Sequence, residues 1–260
     1  MNSGDNWTAI LLAGQRPGEN DFARSHGVAA KALIPVAGVP MLERVVRTLL
    51  ASPAIGRIVV LAQDAPSLLR GRLAWMADEQ RIATAEAGDG ISTSIARVAG
   101  SEAAPWPVLV VTADHALLTT EMVTEFLGRA GGGDAALAVV ERKVVEAAYP
   151  ETRRTWIRFS DGDYSGANLF ALTNERSQAA LALWSKVERD RKKALKLLMF
   201  FGPWLALRAV TRTISLEGAL RIAGRKAGLR VTPVRLPFAE AAIDVDKRAD
   251  LELAERILSE

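Results

Sequence analysis

Short, unbroken apolar runs alternate along the first half of the chain with stretches whose apolar residues recur every three or four positions. Thr8–Ala13 (TAILLA), Ile58–Ala62 (IVVLA), Val108–Thr112 (VLVVT) and Ala135–Val140 (AALAVV) contain almost no polar position. A strand with one wet face would alternate polar and apolar residues. Continuous apolar runs of this length predict strands covered on both faces. Between them, Leu42, Val45, Val46, Leu49 and Leu50 repeat at helical spacing. Ser67 to Met76 predicts a second helix, and Thr119 is placed to cap a third that runs to about Leu127. The alternation predicts an α/β fold: a doubly wound, mostly parallel sheet with helices on both faces and right-handed crossovers. Such sheets bind ligands beyond the carboxyl ends of their strands. That directs attention to Gly14–Lys31, Gly88–Ser94 and Asp114–Leu118.

The second half is less regular. Trp156–Phe159 and Asn168–Leu172 predict strands around a turn over Ser160–Gly166. Ser185 to about Gly228 predicts mostly helix, rich in basic and apolar residues. Val231–Leu236 and Ala242–Val245 predict late strands, and a helix from Lys247 to about Leu258 follows. No internal repeat, low-complexity tract or linker interrupts the pattern. Residues 1–260 therefore form one domain in this reading, with 185–230 as a helical insertion.

Composition narrows the chemistry. Of 260 residues, 49% are hydrophobic and 24% charged, which excludes a disordered or low-complexity chain. Cysteine is absent, so disulfides, thiolate zinc sites and a cysteine nucleophile are excluded. Two histidines, His26 and His115, argue against a multi-histidine metal centre. The net charge of +3 is too small an excess to imply a nucleic-acid partner, even with a pI of 9.4. The start MNSGDNWTAILLAG lacks the basic residues and cleavage site of a signal peptide, and no apolar run is long enough to span a membrane. A cytoplasmic protein is expected.

The first predicted strand runs directly into Gly14-Gln15-Arg16-Pro17-Gly18. Glycine after a strand lets the backbone approach an anion, and Arg16 and Lys31 add two cations near the same strand end. The segment contains neither a Walker A motif nor G-x-G-x-x-G. On these residues alone, a phosphate-binding loop and a mobile surface loop both remain open.

LLAGQR followed by Lys31-Ala-Leu-Ile-Pro-Val-Ala-Gly-Val-Pro-Met-Leu42 resembles the MobA-like NTP-transferase superfamily, whose members carry K-x-L-x-P-x-x-G-x-P-M-L after a glycine- and arginine-bearing loop. The chain departs from the molybdopterin guanylyltransferase pattern, because its loop between Arg16 and Lys31 is stretched and lacks the double glycine. The resemblance implies a Rossmann-like nucleotidyltransferase fold. It also implies that Leu12, Ala13, Gly14, Gln15 and Arg16 hold the triphosphate while Lys31 neutralises the reacting α-phosphate.

Further segments take roles on the same basis. Gly90, Ser92 and Ser94 match a G-x-x-x-S segment that reads base and ribose in related transferases; the simpler reading of the serines is helix capping. Asp114, after VLVVTA, is a turn residue on its own, but the resemblance makes it a ligand of Mg²⁺, a cation that prefers hard oxygen donors. His115 beside it would shape the acceptor site. Asp244 and Asp246, two apart on a predicted strand, would share a face. Ala241–Leu251 resembles the D-x-D-T-P-x-D-L segment of cytidylyltransferases, keeping Asp244, Asp246, Asp250 and Leu251 but replacing Thr-Pro with Lys247-Arg248. It implies Asp246 as second metal contact and Asp244 as its support. The simpler reading makes Asp246 a cap of the last helix, while Asp250 fits its first turn. Gly166 and Asn168 resemble a G-x-N segment lining the acceptor pocket of sugar-phosphate nucleotidyltransferases; an ordinary turn is the alternative.

The implied reaction is Mg²⁺-dependent transfer of a nucleoside monophosphate, with CTP favoured over GTP, to a phosphorylated sugar, polyol or lipid-headgroup precursor, releasing pyrophosphate. The alternative is a catalytically silent regulator that binds a nucleotide or phosphometabolite on the same fold. Lys186–Arg212 stays outside the resemblance. Its eleven uncharged residues, Leu197–Leu207, lie between basic clusters. A hairpin packed on the domain or on the second subunit of a homodimer is one reading. The other is a patch that dips Phe200, Phe201 and Trp204 into the inner face of a membrane.

Overall fold

The predicted apolar runs become the centre of a single sheet. The computed structural model describes residues 6–14, 21–88, 90–189, 207–208 and 211–260. In chain order the strands are β1 (Trp7–Leu12), β2 (Pro35–Val36), β3 (Val39–Pro40), β4 (Ile55–Ala62), β5 (Ile82–Glu86), β6 (Val108–Thr112), β7 (Ala135–Glu141), β8 (Ile157–Phe159), β9 (Gly162–Leu172) and β10 (Val231–Arg235). The main sheet has the order β10-β7-β9-β6-β1-β4-β5, with β8 paired to β9, while β2 and β3 form a separate small hairpin. β1 is parallel to β4 and β6, β5 is parallel to β4, and β10 is parallel to β7. Only β9, with its partner β8, runs against its neighbours.

The helices are α1 (Asp21–Ser25), α2 (Met41–Ala51), α3 (Ala65–Leu68), α4 (Trp75–Asp78), α5 (Ile91–Val98), α6 (Thr120–Ala130), α7 (Arg142–Ala148), α8 (Gln178–Arg189), α9 (Leu216–Lys226) and α10 (Arg248–Ser259). Side chains alternate across a strand, so each strand feeds two cores. Ala9, Leu11, Ile58, Val60, Leu109 and Val111 pack with Val45, Val46 and Leu49 of α2 and Phe126 of α6. Ile10, Val59, Leu61, Val108 and Val110 face the other way, onto Ile95 and Val98 of α5 and Leu181 of α8. Both faces are covered, which is why these strands contain almost no polar residue. Among the described residues no helix is long and apolar enough to cross a membrane.

Several expected elements differ. The helix predicted over Ser67–Met76 is broken into α3, a 3₁₀ turn at Gly71–Leu73 and α4. Gly71 at φ +57° turns the chain where a continuous helix would need φ near −60°. β9 begins at Gly162, so the predicted turn shrinks and most of it is strand. Ala242–Val245 is not a strand: 3₁₀ turn Ala239–Ala242 leads into extended chain whose backbone reaches the sheet side through Val245 N–H donating to Asp114 O at 3.0 Å. Among the described residues of 185–230, the end of α8 and all of α9 are helical. Residues 190–206, including Phe200, Phe201, Trp204 and most of the 197–207 patch, lie outside the described residues.

Candidate active site

The carboxyl ends of the parallel strands collect the predicted loops. Ala13 N–H bonds Leu61 O and Ala113 N–H bonds Leu12 O, so the chain leaves β1 and β6 side by side. Gly14 follows β1 and sits against the Gln63 side chain, 2.8 Å from where a Cβ would be, so only glycine fits there without displacing Gln63. Gln15 and Arg16 lie outside the described residues. Asp114 follows β6, two residues beyond Thr112.

Three distant segments meet at this edge. Lys31 opens a 3₁₀ turn, Lys31–Leu33, just ahead of the β2–β3 hairpin, and Ala30 and Ala32 beside it are buried. This anchoring sends the Lys31 side chain to Asp114, where Nζ donates to Oδ2 at 2.6 Å. Lys31 Nζ also donates to Asp246 Oδ1. Asp114, Asp244 and Asp246 each offer a carboxylate oxygen within 4.8 Å of the others. The second oxygen of Asp114, Oδ1, is buried and accepts no hydrogen bond. Three carboxylates within this distance, one of them with a buried, unpartnered oxygen, are the hard-oxygen donor set a divalent cation takes, so these residues fit Mg²⁺.

The electrostatics follow from this crowding. Burial alone would lower the Lys31 pKa, but Asp114 and Asp246 outweigh it and hold the ammonium above its ordinary value. Asp244 is pushed up by burial and by the negative fields of Asp246 and Asp114, against which Arg154 pulls. Asp246 goes the other way: burial opposes ionisation, yet the Lys31 hydrogen bond keeps it below the usual carboxylate value. Three carboxylates this close repel one another, and the two cations, Lys31 and Arg154, hold them together.

Sequence reasoning missed Arg154. Its side chain is only 7% exposed, and it donates to Asp244 Oδ1 at 2.7 Å and Asp250 Oδ1 at 3.1 Å. Asp250 also accepts from the backbone N–H groups of Asp246 and Lys247, at 3.2 Å each. Lys247 is the N-cap of α10, so the cap is completed by Asp250 in the first turn, and Asp246 is free to face Lys31. One arginine of the Arg153-Arg154 pair in a polar stretch carries no periodic or motif signal, which is why nothing in the sequence singled it out.

Other predicted residues land differently. Gly90 is the N-cap of α5, but no side chain caps it. Ser94 Oγ donates to Gly90 O at 2.6 Å and accepts from Gly88 N–H at 2.8 Å, closing the loop on itself. Ser92 and Ser94 are buried, so neither hydroxyl lies open to a nucleotide. His115 is 1% exposed with neither ring nitrogen hydrogen-bonded, and burial lowers its pKa to about 4. An enclosed, neutral imidazole backs the loop from the core side. Asn168 sits where β9 bulges against β7, in the left-handed region at φ +51° that asparagine tolerates. Because Val111 of β6 pairs with Leu169, Asn168 lies beside the end of β6 that leads to Asp114. Gly166 is exposed on the same strand.

Comparison with known proteins agrees with this architecture. A family model described as the MobA-like NTP transferase domain matches residues 9–196. A solved structure described as a hypothetical transferase from Thermus thermophilus is 29% identical, covers 95% of this chain and 99% of its own, and has a TM-score of 0.80. Two others share the fold at lower identity. The 4-diphosphocytidyl-2C-methyl-D-erythritol synthase of Anaerococcus prevotii is 12% identical with a TM-score of 0.59, covering 98% of this chain and 97% of its own. The 2-C-methyl-D-erythritol 4-phosphate cytidylyltransferase of Thermus thermophilus is 15% identical with a TM-score of 0.54, covering 98% of this chain and 100% of its own. No curated protein matches the chain.

Proposed function

The chain belongs to the MobA-like NTP transferase family, and from that premise we propose that it transfers a nucleoside monophosphate from an NTP to a phosphorylated small-molecule acceptor. The observation that carries the reading is the Lys31 ammonium held between Asp114 and Asp246 at the carboxyl edge of the sheet. An oxygen of the acceptor phosphate attacks the α-phosphorus. That P–O bond forms as the α–β anhydride bond breaks, and pyrophosphate leaves with the electron pair. An ionised phosphate is already nucleophilic, so no general base is required, and an enclosed, neutral His115 is no impediment.

The protein's work is alignment and charge neutralisation. Lys31, kept protonated by its carboxylates, offers its charge where negative charge grows on the α-phosphate. Asp114 and Asp246 would hold Mg²⁺ with Asp244 in support, and the bound ion would neutralise phosphate charge and orient the triphosphate. Arg154 keeps the Asp244 side of the trio in place. Gly14 and Arg16 take the triphosphate, and the backbone near Gly90 takes the base. Among the described residues the amide of Asn168 makes no hydrogen bond, so it is free to meet acceptor hydroxyls. The cytidylyltransferase-like segment at Asp244–Leu251 favours CTP, with GTP as second choice.

The test is pyrophosphate release with each of the four NTPs and Mg²⁺ against phosphorylated sugars, polyols and lipid-headgroup precursors. Turnover with one NTP and one acceptor class, abolished in Lys31→Ala, is the expected result. Tight NTP binding without turnover across the acceptor set would favour a silent regulator.

A further inference from the structure

An arginine-lined cavity lies beside the continuation of the Asp114 loop. It has a volume of about 470 Å³, and its lining includes Arg44, Arg47 and Arg72 together with the apolar Val39, Leu117 and Leu258. Its wall includes Ala116–Thr119, the continuation of the loop that carries Asp114, and none of the residues assigned above to catalysis. One carboxylate, Glu43, is nearly enclosed among the three guanidiniums. It accepts two bonds from Arg47, at 3.0 and 2.8 Å, and one from Arg72 at 2.6 Å. Glu255 adds a second negative field at Arg44, so the three cations are set against two carboxylates, of which Glu43 is the enclosed one.

The guanidiniums are not used up. Arg44 spends only Nε, on Val36 O at 2.9 Å. Arg72 spends Nε on Glu43 and Nη1 on Gly38 O at 3.0 Å. Arg47 lies over the Trp75 ring, its Cζ 4.8 Å from the centroid. Among the described residues, both terminal nitrogens of Arg44, Nη1 of Arg47 and Nη2 of Arg72 have no protein acceptor. Burial, and then the field of Arg72, lowers the Arg44 pKa against the opposing fields of Glu255 and Glu43. Guanidinium forks with spare N–H groups match phosphate oxygens in geometry and charge. The volume falls in the range of small-molecule sites, and the aliphatic wall suits a ligand with an apolar body.

We propose that this cavity binds a small phosphate-bearing anion, separately from the catalytic site. The site stands on its own residues and does not depend on the transferase reading. Its walls tie to both catalytic segments. Arg44 and Arg72 hold the backbone of the β2–β3 hairpin that follows Lys31, and Thr48 Oγ1 donates to Leu118 O at 3.0 Å on the loop that follows Asp114. An occupant that recruits Arg44 and Arg72 thus bears on the hairpin that follows Lys31.

Calorimetric titration of the purified protein, without Mg²⁺ and at low salt, tests the site with inorganic phosphate and hexyl phosphate as probes. Tighter binding of hexyl phosphate assigns a phosphate monoester with an apolar body; equal binding assigns the free anion. In either case Lys31→Ala should retain the affinity. Arg44→Gln should weaken it about tenfold, the loss of one charge-assisted contact. Leu258→Trp, which fills the mouth from an exposed helix position without touching a charge, should weaken it comparably and serves if Arg44→Gln folds poorly. Absence of binding by both probes at millimolar concentration would overturn the proposal. So would loss of binding in Lys31→Ala, or unchanged binding in Leu258→Trp.

Discussion

Arg154 offers the sharpest test of how the carboxylate trio is held. Arg154→Met keeps the length and apolar bulk of the side chain and deletes the guanidinium. Two carboxylates lose a partner, but they are not equivalent. Asp250 is as enclosed as Arg154, each at 7% side-chain exposure, whereas Asp244 is 30% exposed and can regain water. Removing one partner of a buried ion pair costs about 3–5 kcal/mol, because a charge is stranded. Asp250 retains two backbone N–H donors, which places the expected loss at the low end, about 3 kcal/mol. For a chain of this size that lowers Tm by roughly 6 °C. Urea unfolding followed by circular dichroism measures the loss directly. Pairing the change with Asp250→Asn in a double-mutant cycle isolates the contact, and the two losses should be clearly less than additive. Activity should fall by about ten- to a hundredfold, the usual effect of freeing the partner of a metal-facing carboxylate. A stability loss under about 1 kcal/mol, with additive behaviour in the cycle, would show Arg154 to be no stronger than a surface pair and would refute the reasoning.

Further outcomes follow from the same geometry. Lys31→Ala should lower kcat far more than it raises the NTP KM, since the ammonium acts on charge that develops in the transition state; the reverse split would make it a binding residue only. Asp114→Asn and Asp246→Asn should each reduce turnover by at least ~10²-fold with the fold intact by circular dichroism, and near-normal activity in Asp246→Asn would shift the second ligand to Asp244. Chelation by EDTA should abolish pyrophosphate release and added Mg²⁺ restore it, whereas full activity in EDTA would exclude a metal-dependent reaction. For Glu43, burial favours the neutral acid, but Arg47 and Arg72 outweigh it and hold the carboxyl below its ordinary 4.5. Its stabilisation is therefore complete above about pH 4.5 and fades as pH falls through the lower folded value. The stability gap between wild type and Glu43→Gln should narrow on acidification in urea-unfolding series, and parallel pH curves would contradict this.

Much of the frame was legible in the chain. The runs at Thr8–Ala13, Ile58–Ala62, Val108–Thr112 and Ala135–Val140 are strands of a sheet covered on both faces, as their continuous apolar character requires, whereas their order in the sheet was not legible. β5 escaped notice: it is an edge strand of mixed, half-exposed residues, Ile82–Glu86, so it carries neither a continuous run nor a strong alternation. Within the site, Lys31, Asp114, Asp244 and Asp246 could be named as candidates because each follows a strand-like run or sits in a recognisable motif.

What the sequence could not decide was which of those groups meet, and what each side chain does on arrival. Lys31 lies 83 residues from Asp114 and 215 from Asp246, and only the folded sheet brings them into contact. The serines of Gly88–Ser94 read equally well as caps or as ligand contacts until the fold turned Ser94 back onto its own loop. His115 and Asp114 are neighbours in the chain, yet the turn after β6 sends one into the core and leaves the other at the sheet edge. Arg154 gains its importance only from two carboxylates that reach it from 90 and 96 residues away. Local pattern determines which segments must be buried and how each folds on itself. The positions of charges relative to one another depend on contacts between distant segments, and those are set by how the layers pack.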